Sequence, residues 1–228
     1  MAIKNVILVH GAWGDGSHWR GVIPLLAARD YTVTAVQNPL TSLDDDVHRT
    51  RTLLDAQDGP VLLVGHSYGG AVISGAGHAP NVVGLVYVAA FAPDAGENLG
   101  GLLARDGDPI PEGFLKPDAD GFLWIDFDAF HDAFAQDLDP TDALVMARTQ
   151  KPIAARCFQD RAGAPAWRDK PAWYQVSSQD RMIPPATEAW MAERMNARAT
   201  VTLDAGHASL ASHPQEVTAL IDQAAKAL

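Results

Sequence analysis

Ser67 lies between two glycines in Gly65-His66-Ser67-Tyr68-Gly69-Gly70, a G-x-S-x-G spacing suited to nucleophilic attack. An apolar, β-branched run from Val61 to Val64 leads into it, and an alanine-rich helical segment from Ala71 to Gly77 follows. A sharp strand-to-helix turn forces the serine into a strained backbone conformation, and only small neighbours let strand and helix pass so closely. The hydroxyl then stands clear of the sheet with the helix dipole behind it. A serine alone is a poor nucleophile. It needs a base, an acid to orient that base, and N–H donors for the oxyanion.

In an open parallel sheet such groups gather in loops at the carboxyl ends of strands. Three loops qualify: Ser177-Ser178-Gln179-Asp180-Arg181, Asp204-Ala205-Gly206-His207-Ala208, and His10-Gly11-Ala12-Trp13. His207 is the candidate base, and Asp180 the acid that would hold its tautomer, in the chain order Ser67, Asp180, His207. Asp94, which also follows a strand, and Asp204 stay open as alternative acids. The backbone N–H groups of Ala12 and Tyr68 are the candidate oxyanion hole. His66 is expected to point away from the nucleophile as a satisfied second-layer or core histidine, and His10 to brace the oxyanion loop. The remaining histidines show no common ligand spacing, so no metal site is expected. Cys157 lacks a strand-turn-helix context and reads as a packing residue.

These loops require strands to present them. Ile3–Val9, Tyr31–Val36, Val61–Val64 and Val82–Phe91 read as strands, alternating with helices over Trp19–Arg29, Ser42–Gln57 and the segment after Ser67. Ser42 is expected to cap its helix, with Asp44, Asp45 and Asp46 in the favourable first turn. Alternation of this kind argues for a mostly parallel α/β sheet of about six strands with flanking helices. The rhythm breaks over 96–168, where Gly, Pro and Asp are richer. Two helices follow one another there, about Phe127–Leu138 and Thr141–Lys151, and a small hairpin is expected around Pro117–Gly121. That stretch reads as a cap insertion on a core of 1–95 and 169–228. The rhythm resumes with strands Ala172–Ser177 and Ala199–Leu203 and helices Pro185–Asn196 and Pro214–Leu228.

At 228 residues the chain is long enough to bury a full core without staples. A net charge of −11, with no basic stripe, argues against a nucleic-acid partner. The single cysteine rules out an intramolecular disulfide and fits a reducing compartment. The N-terminus runs straight into a strand, and no apolar run approaches a membrane span. The expectation is a cytoplasmic protein with no membrane partner, and a homodimer is left open.

On these segments, together with Val88-Ala89-Ala90-Phe91-Ala92-Pro93-Asp94 and Ser178-Gln179-Asp180-Arg181-Met182-Ile183-Pro184, the chain resembles the α/β-hydrolase superfamily from end to end. It is similar to the branch of plant methylesterases, hydroxynitrile lyases and related bacterial carboxylesterases. The resemblance implies the α/β-hydrolase fold, a substrate seated between triad and cap, and no cofactor. Lyases of that branch carry a threonine at the position of Gly11 and a lysine at that of Ala208, so both positions favour hydrolysis. Methylesterases usually carry a larger apolar residue at Ala208, which leaves the leaving-group side roomier here. Gly11, Trp13, Phe122, Trp124 and Ala208 are the expected substrate contacts, with Leu99, Leu102, Leu103, Phe114, Phe127 and Phe130 as further candidate walls. The expected activity is that of a serine carboxylesterase acting on a small to medium, mostly apolar ester. The alternatives are carbon–carbon bond hydrolysis, a lyase reaction, or a ligand-binding receptor built on the same scaffold.

Overall fold

A computed structural model describes residues 3–106 and 113–228. Residues 107–112 of the expected cap lie outside the described residues.

Six strands form one parallel sheet: β1 (Asn5–Val9), β2 (Thr32–Ala35), β3 (Val61–Ser67), β4 (Val82–Ala90), β8 (Ala172–Ser177) and β9 (Ala199–Leu203), in the order β2-β1-β3-β4-β8-β9. Helices α1 (Val22–Ala27), α2 (Leu43–Asp55), α3 (Gly69–Ala76), α7 (Pro185–Arg194), α8 (Ser209–Ser212) and α9 (Pro214–Lys226) accompany it. Between β4 and β8 run α4 (Leu99–Leu103), β5 (Leu115–Pro117), β6 (Phe122–Ile125), α5 (Phe130–Phe134), α6 (Pro140–Arg148) and β7 (Ile153–Ala154). None of these enters the large sheet. Instead β5, β6 and β7 make a small antiparallel sheet of their own.

Both faces of the large sheet are covered, which explains why its central strands are apolar throughout rather than alternating. Successive side chains still go to opposite faces. Val6, Leu8, Leu62, Val64, Val86 and Val88 pack with α1 and α9, whereas Ile7, Val9, Leu63, Leu85 and Tyr87 pack on the side of α2, α3 and α7. Each such side chain, fully buried, contributes about 1.5–3 kcal/mol. Helix α9 buries Val217, Leu220, Ile221 and Ala224, the spacing of one helical stripe.

Local signals behave as their chemistry dictates. The Ser42 hydroxyl accepts from the Asp45 N–H at 3.1 Å, and the three aspartates occupy the first turn of α2. The helix expected over Trp19–Arg29 is shorter: a 3-10 turn at Gly16–Trp19, capped by Asp15, gives way at Gly21 to α1. The two helices expected before residue 151 are also trimmed, because Asp139 caps Pro140 and restarts the chain there. The hairpin joins β5 to β6, and β7 extends it.

The strand order places β1 beside β3 although β2 lies between them in sequence. That is a switch point, where loops leave the sheet in opposite directions and open a crevice at the carboxyl ends. The residues after β1 and the serine ending β3 meet there.

Candidate active site

Ser67 ends β3 with φ of 53°, in the left-handed region that a non-glycine residue adopts only at a cost of about 1–3 kcal/mol. The strand pairing slips between His66 and Ser67, and α3 begins two residues later. The turn survives because its neighbours lack side chains. A Cβ on Gly65 would stand 2.6 Å from the Gly69 carbonyl oxygen, and one on Gly69 would stand 2.5 Å from that of Val9.

His207 Nε2 lies 2.9 Å from Ser67 Oγ, and His207 Nδ1 lies 2.6 Å from Asp180 Oδ2. A carboxylate only accepts, so Nδ1 carries the ring proton and Nε2 is left to accept from the serine hydroxyl. The other Asp180 oxygen accepts from the N–H groups of Met182 at 2.6 Å and Ile183 at 2.8 Å. The two rival acids lie elsewhere. Asp94 pairs with Arg168 at 2.6 Å, a bond that lowers its pKa, and Asp204 accepts from Gln179 at 3.1 Å.

Among the described residues the N–H groups of Ala12 and Tyr68 have no acceptor, and both residues line the cleft that opens on Ser67. The loop carrying Ala12 is held from below. Asn38 N–H donates to His10 Nε2 at 3.0 Å, so His10 Nδ1 carries the proton and donates to the Gly11 carbonyl at 2.8 Å. Burial pushes the His10 pKa down to about 4, which keeps the ring neutral in this role. Trp13, at φ of 59°, anchors the far end by donating from its indole to the Leu123 carbonyl at 2.9 Å. Tyr68 is tied down as well: its phenol donates to Asp46 Oδ2 at 2.6 Å. Burial raises Asp46 to about 6 and the Tyr68 phenol well above its ordinary value.

His66 donates from Nε2 to the His207 carbonyl at 2.9 Å and packs edge-on against Trp19 and Phe134. Burial holds its pKa well below the ordinary value, so it is a neutral prop for the His207 backbone. Two loops are also fastened to the segment above them. Asp137 Oδ2 accepts from Gly206 N–H at 2.8 Å and from Ser212 at 2.7 Å, while Gln136 donates to the Gln179 carbonyl at 2.7 Å and Arg181 pairs with Asp132. Cys157 is buried in contact with Tyr68, and burial raises its thiol to about 12, which leaves it a packing residue.

The cleft is very small, about 10 Å³, and largely apolar. Among the described residues its walls are Ala12, Trp13, Tyr68, Phe91, Leu103, Phe158, Met182 and Ile183, closed by Ser67 and His207. Two expected contacts are corrected. Phe122 and Trp124 lie on the outer hairpin, where the Trp124 indole donates to Asp118 at 3.0 Å and packs edge-on against Phe127, itself 44% exposed. Strand alternation sends Leu123 and Ile125 to the core and leaves Phe122 and Trp124 on the other face of β6. Ala208 is also corrected: it is buried behind His207 at the start of α8 and does not line the cleft. Gly11 borders the serine directly, since a Cβ there would stand 3.2 Å from Ser67 Oγ. Trp13, of the expected contacts, and Leu103, of the further candidate walls, line the cleft.

Sequence reasoning passed over Phe91, Met182, Ile183 and Phe158. Phe91 directly follows β4, and Met182 and Ile183 stand two and three residues after Asp180, so all three were findable from position. Phe158 comes from a 3-10 turn after a two-residue strand, where no local pattern marks it. No three His, Cys, Asp or Glu side chains come together as a metal site among the described residues, and no helix there is long and apolar enough to cross a membrane.

Residues 6–220 match the model of the alpha/beta hydrolase family. The chain belongs to that family. A carbendazim hydrolyzing esterase of Nocardioides sp. (strain SG-4G) is 32% identical over 117 residues, covering 45% of this chain and 48% of that one. Salicylic acid-binding protein 2 of Nicotiana tabacum is 26% identical over 249 residues, covering 95% of each. Among solved structures, a pyrethroid hydrolase from Sphingobium faniae JZ-2 superposes with a TM-score of 0.85 at 24% identity, over 99% of this chain and 98% of that one. This alpha/beta hydrolase therefore shares its architecture with that enzyme along essentially its whole length.

Proposed function

We propose that this alpha/beta hydrolase is a cofactor-independent serine esterase that cleaves a small to medium, mostly apolar carboxylic ester through an acyl-enzyme. The observation that carries the reading is the unbroken relay from Ser67 through His207 to Asp180, at 2.9 and 2.6 Å, opening on an apolar cleft beside two N–H groups without acceptors. Ser67 Oγ attacks the ester carbonyl carbon while its proton passes to His207 Nε2. The carbonyl oxygen, now an oxyanion, accepts from Ala12 and Tyr68 N–H, donors already fixed in place before reaction. Asp180 stabilises the imidazolium. His207 then gives its proton to the departing alcohol oxygen, and the acyl group remains on Ser67. Water, deprotonated by the same imidazole, attacks the acyl carbon, and the carboxylic acid leaves as Ser67 recovers its proton.

The esterase name of the Nocardioides relative supports ester chemistry. Among the described residues no lysine or arginine lines the cleft to stabilise a departing cyanide, which speaks against a lyase. The test is turnover of p-nitrophenyl acetate and butyrate, with an organophosphate probe mapped by mass spectrometry. The wild type is expected to turn over and to be labelled on Ser67, and Ser67→Ala to do neither. Full activity in Ser67→Ala overturns the mechanism.

One observation favours a second reading: the full-length likeness to a salicylic acid-binding protein, 26% identical over 95% of each chain. Tight binding of a small aromatic acid with at most one turnover per chain would select this receptor reading over the esterase.

A further inference from the structure

Behind Asp180 lies a second carboxyl group that the relay does not use. Glu188, in the first turn of α7, is fully buried. Its Oε2 accepts from the Ser177 N–H at 3.0 Å, and its Oε1 is buried with no partner among the described donors. The charged side chain that acts most strongly on this buried carboxyl is that of Asp180, whose own backbone N–H donates to the Ser177 carbonyl at 3.2 Å. The Tyr174 phenol of β8, bonded to the Ala90 carbonyl, feels the charge of both acids and is itself held neutral by burial, and His207 lies beyond Asp180.

Two neighbouring carboxyl groups, shut away from water, do not both ionise. The donors decide which one keeps the proton. Asp180 receives three: His207 Nδ1 and the N–H groups of Met182 and Ile183. Glu188 receives one. Hydrogen bonds to the charged form favour it, so the negative charge rests on Asp180.

We propose that Glu188 is a protonated carboxylic acid whose O–H donates to the Asp180 carboxylate, making Glu188 a positioning residue for the Ser67–His207–Asp180 relay. The unpartnered Oε1 is then the atom that carries the proton, and the apparent orphan disappears. Burial and the neighbouring Asp180 charge both push the Glu188 pKa well above the usual carboxylate range, in the same direction. The fourth donor leaves Asp180 little freedom to rotate, which keeps Oδ2 aimed at His207. When Glu188 ionises at alkaline pH, the donor is lost and a second negative charge appears beside Asp180.

The catalytic part of this proposal rests on the serine-esterase reading, whereas the protonation does not. Infrared spectra of the wild type at pH 7 are expected to show a protonated carboxyl C=O band that Glu188→Gln removes. The folded state also binds a proton at Glu188 that the unfolded chain releases above its ordinary pKa. Stability therefore falls as pH rises above that value, and Glu188→Gln is expected to gain stability over the wild type at pH 8 relative to pH 5. In kinetics, Glu188→Leu is expected to lower kcat about tenfold with little change in KM. Glu188→Gln, whose amide N–H still donates to Asp180, is expected to restore most of that loss and to abolish the alkaline decline of kcat. No infrared band, or one that Glu188→Gln leaves undiminished, overturns the protonation whatever Ser67 does. An unchanged kcat in Glu188→Leu, or an alkaline limb retained in Glu188→Gln, overturns the positioning role. A band present in a protein without esterase turnover would sink the esterase reading alone.

Discussion

Asp46 accepts the Tyr68 phenol at 2.6 Å, fastening the residue after the serine to helix α2. The other Asp46 oxygen accepts from the Leu40 N–H at 2.8 Å, so one buried carboxyl group ties three segments together. Tyr68→Phe leaves Asp46 Oδ2 without its donor. The expected result is a loss of about 1–3 kcal/mol in urea unfolding. A fall in kcat of about tenfold at nearly constant KM should accompany it, because a looser Tyr68 N–H weakens oxyanion binding more than substrate binding. A rise in KM with kcat intact would contradict the role of Tyr68 at the oxyanion.

Asp180, rather than Asp94 or Asp204, is within reach of His207. Asp180→Asn is expected to lower kcat by on the order of 10³–10⁴, because the amide favours the wrong imidazole tautomer. Asp94→Asn removes a bond to an exposed arginine and is expected to hold kcat within about threefold. Steady-state kinetics on one ester decides both.

Phe158 stacks on Trp13 with ring centres 5.8 Å apart and forms one wall of the cleft. Phe158→Ala opens space beside Ser67. The ratio of kcat/KM for p-nitrophenyl octanoate over acetate is expected to rise about tenfold. An unchanged ratio would place the acyl chain on another wall.

His18 is buried with Nδ1 unpartnered, and burial pushes its pKa down to about 4 from 6.5. The unfolded chain binds the extra proton between those values, so the stability present above pH 6.5 is lost as the pH falls toward 4. His10 and His66 shift the same way, whereas Asp46, raised to about 6 from 3.8, opposes them between those two values. His18→Leu removes one contribution. Urea titrations are expected to show the variant gaining about 2 kcal/mol on the wild type at pH 5 relative to pH 7. Equal differences at both pH values would rule the contribution out.

The serine turn was legible because its signal is local: an apolar strand, a polar residue and small neighbours stand in consecutive positions. The meeting of Asp180 and His207 was legible because each stands within four residues of the end of a strand of clear pattern. What escaped depends on pairing across long stretches of chain. The two-residue β7 exists only because β6 offers it an edge, and Phe158 reaches the cleft by way of that pairing. Phe122 and Trp124 misled because apolar residues look alike whether they line a pocket or cover a hairpin. Glu188 was hidden by a good alternative, since a glutamate in a first helical turn is ordinary.

Asp137 and Gln136 hold the Gly206 and Gln179 backbones from above, and Arg181 grips Asp132 across the same seam. The segment 132–137, whose Phe134 ring packs edge-on against His207, is therefore bonded to the loops of both His207 and Asp180. Any displacement of that segment strains the supports of His207 and Asp180 in the same movement.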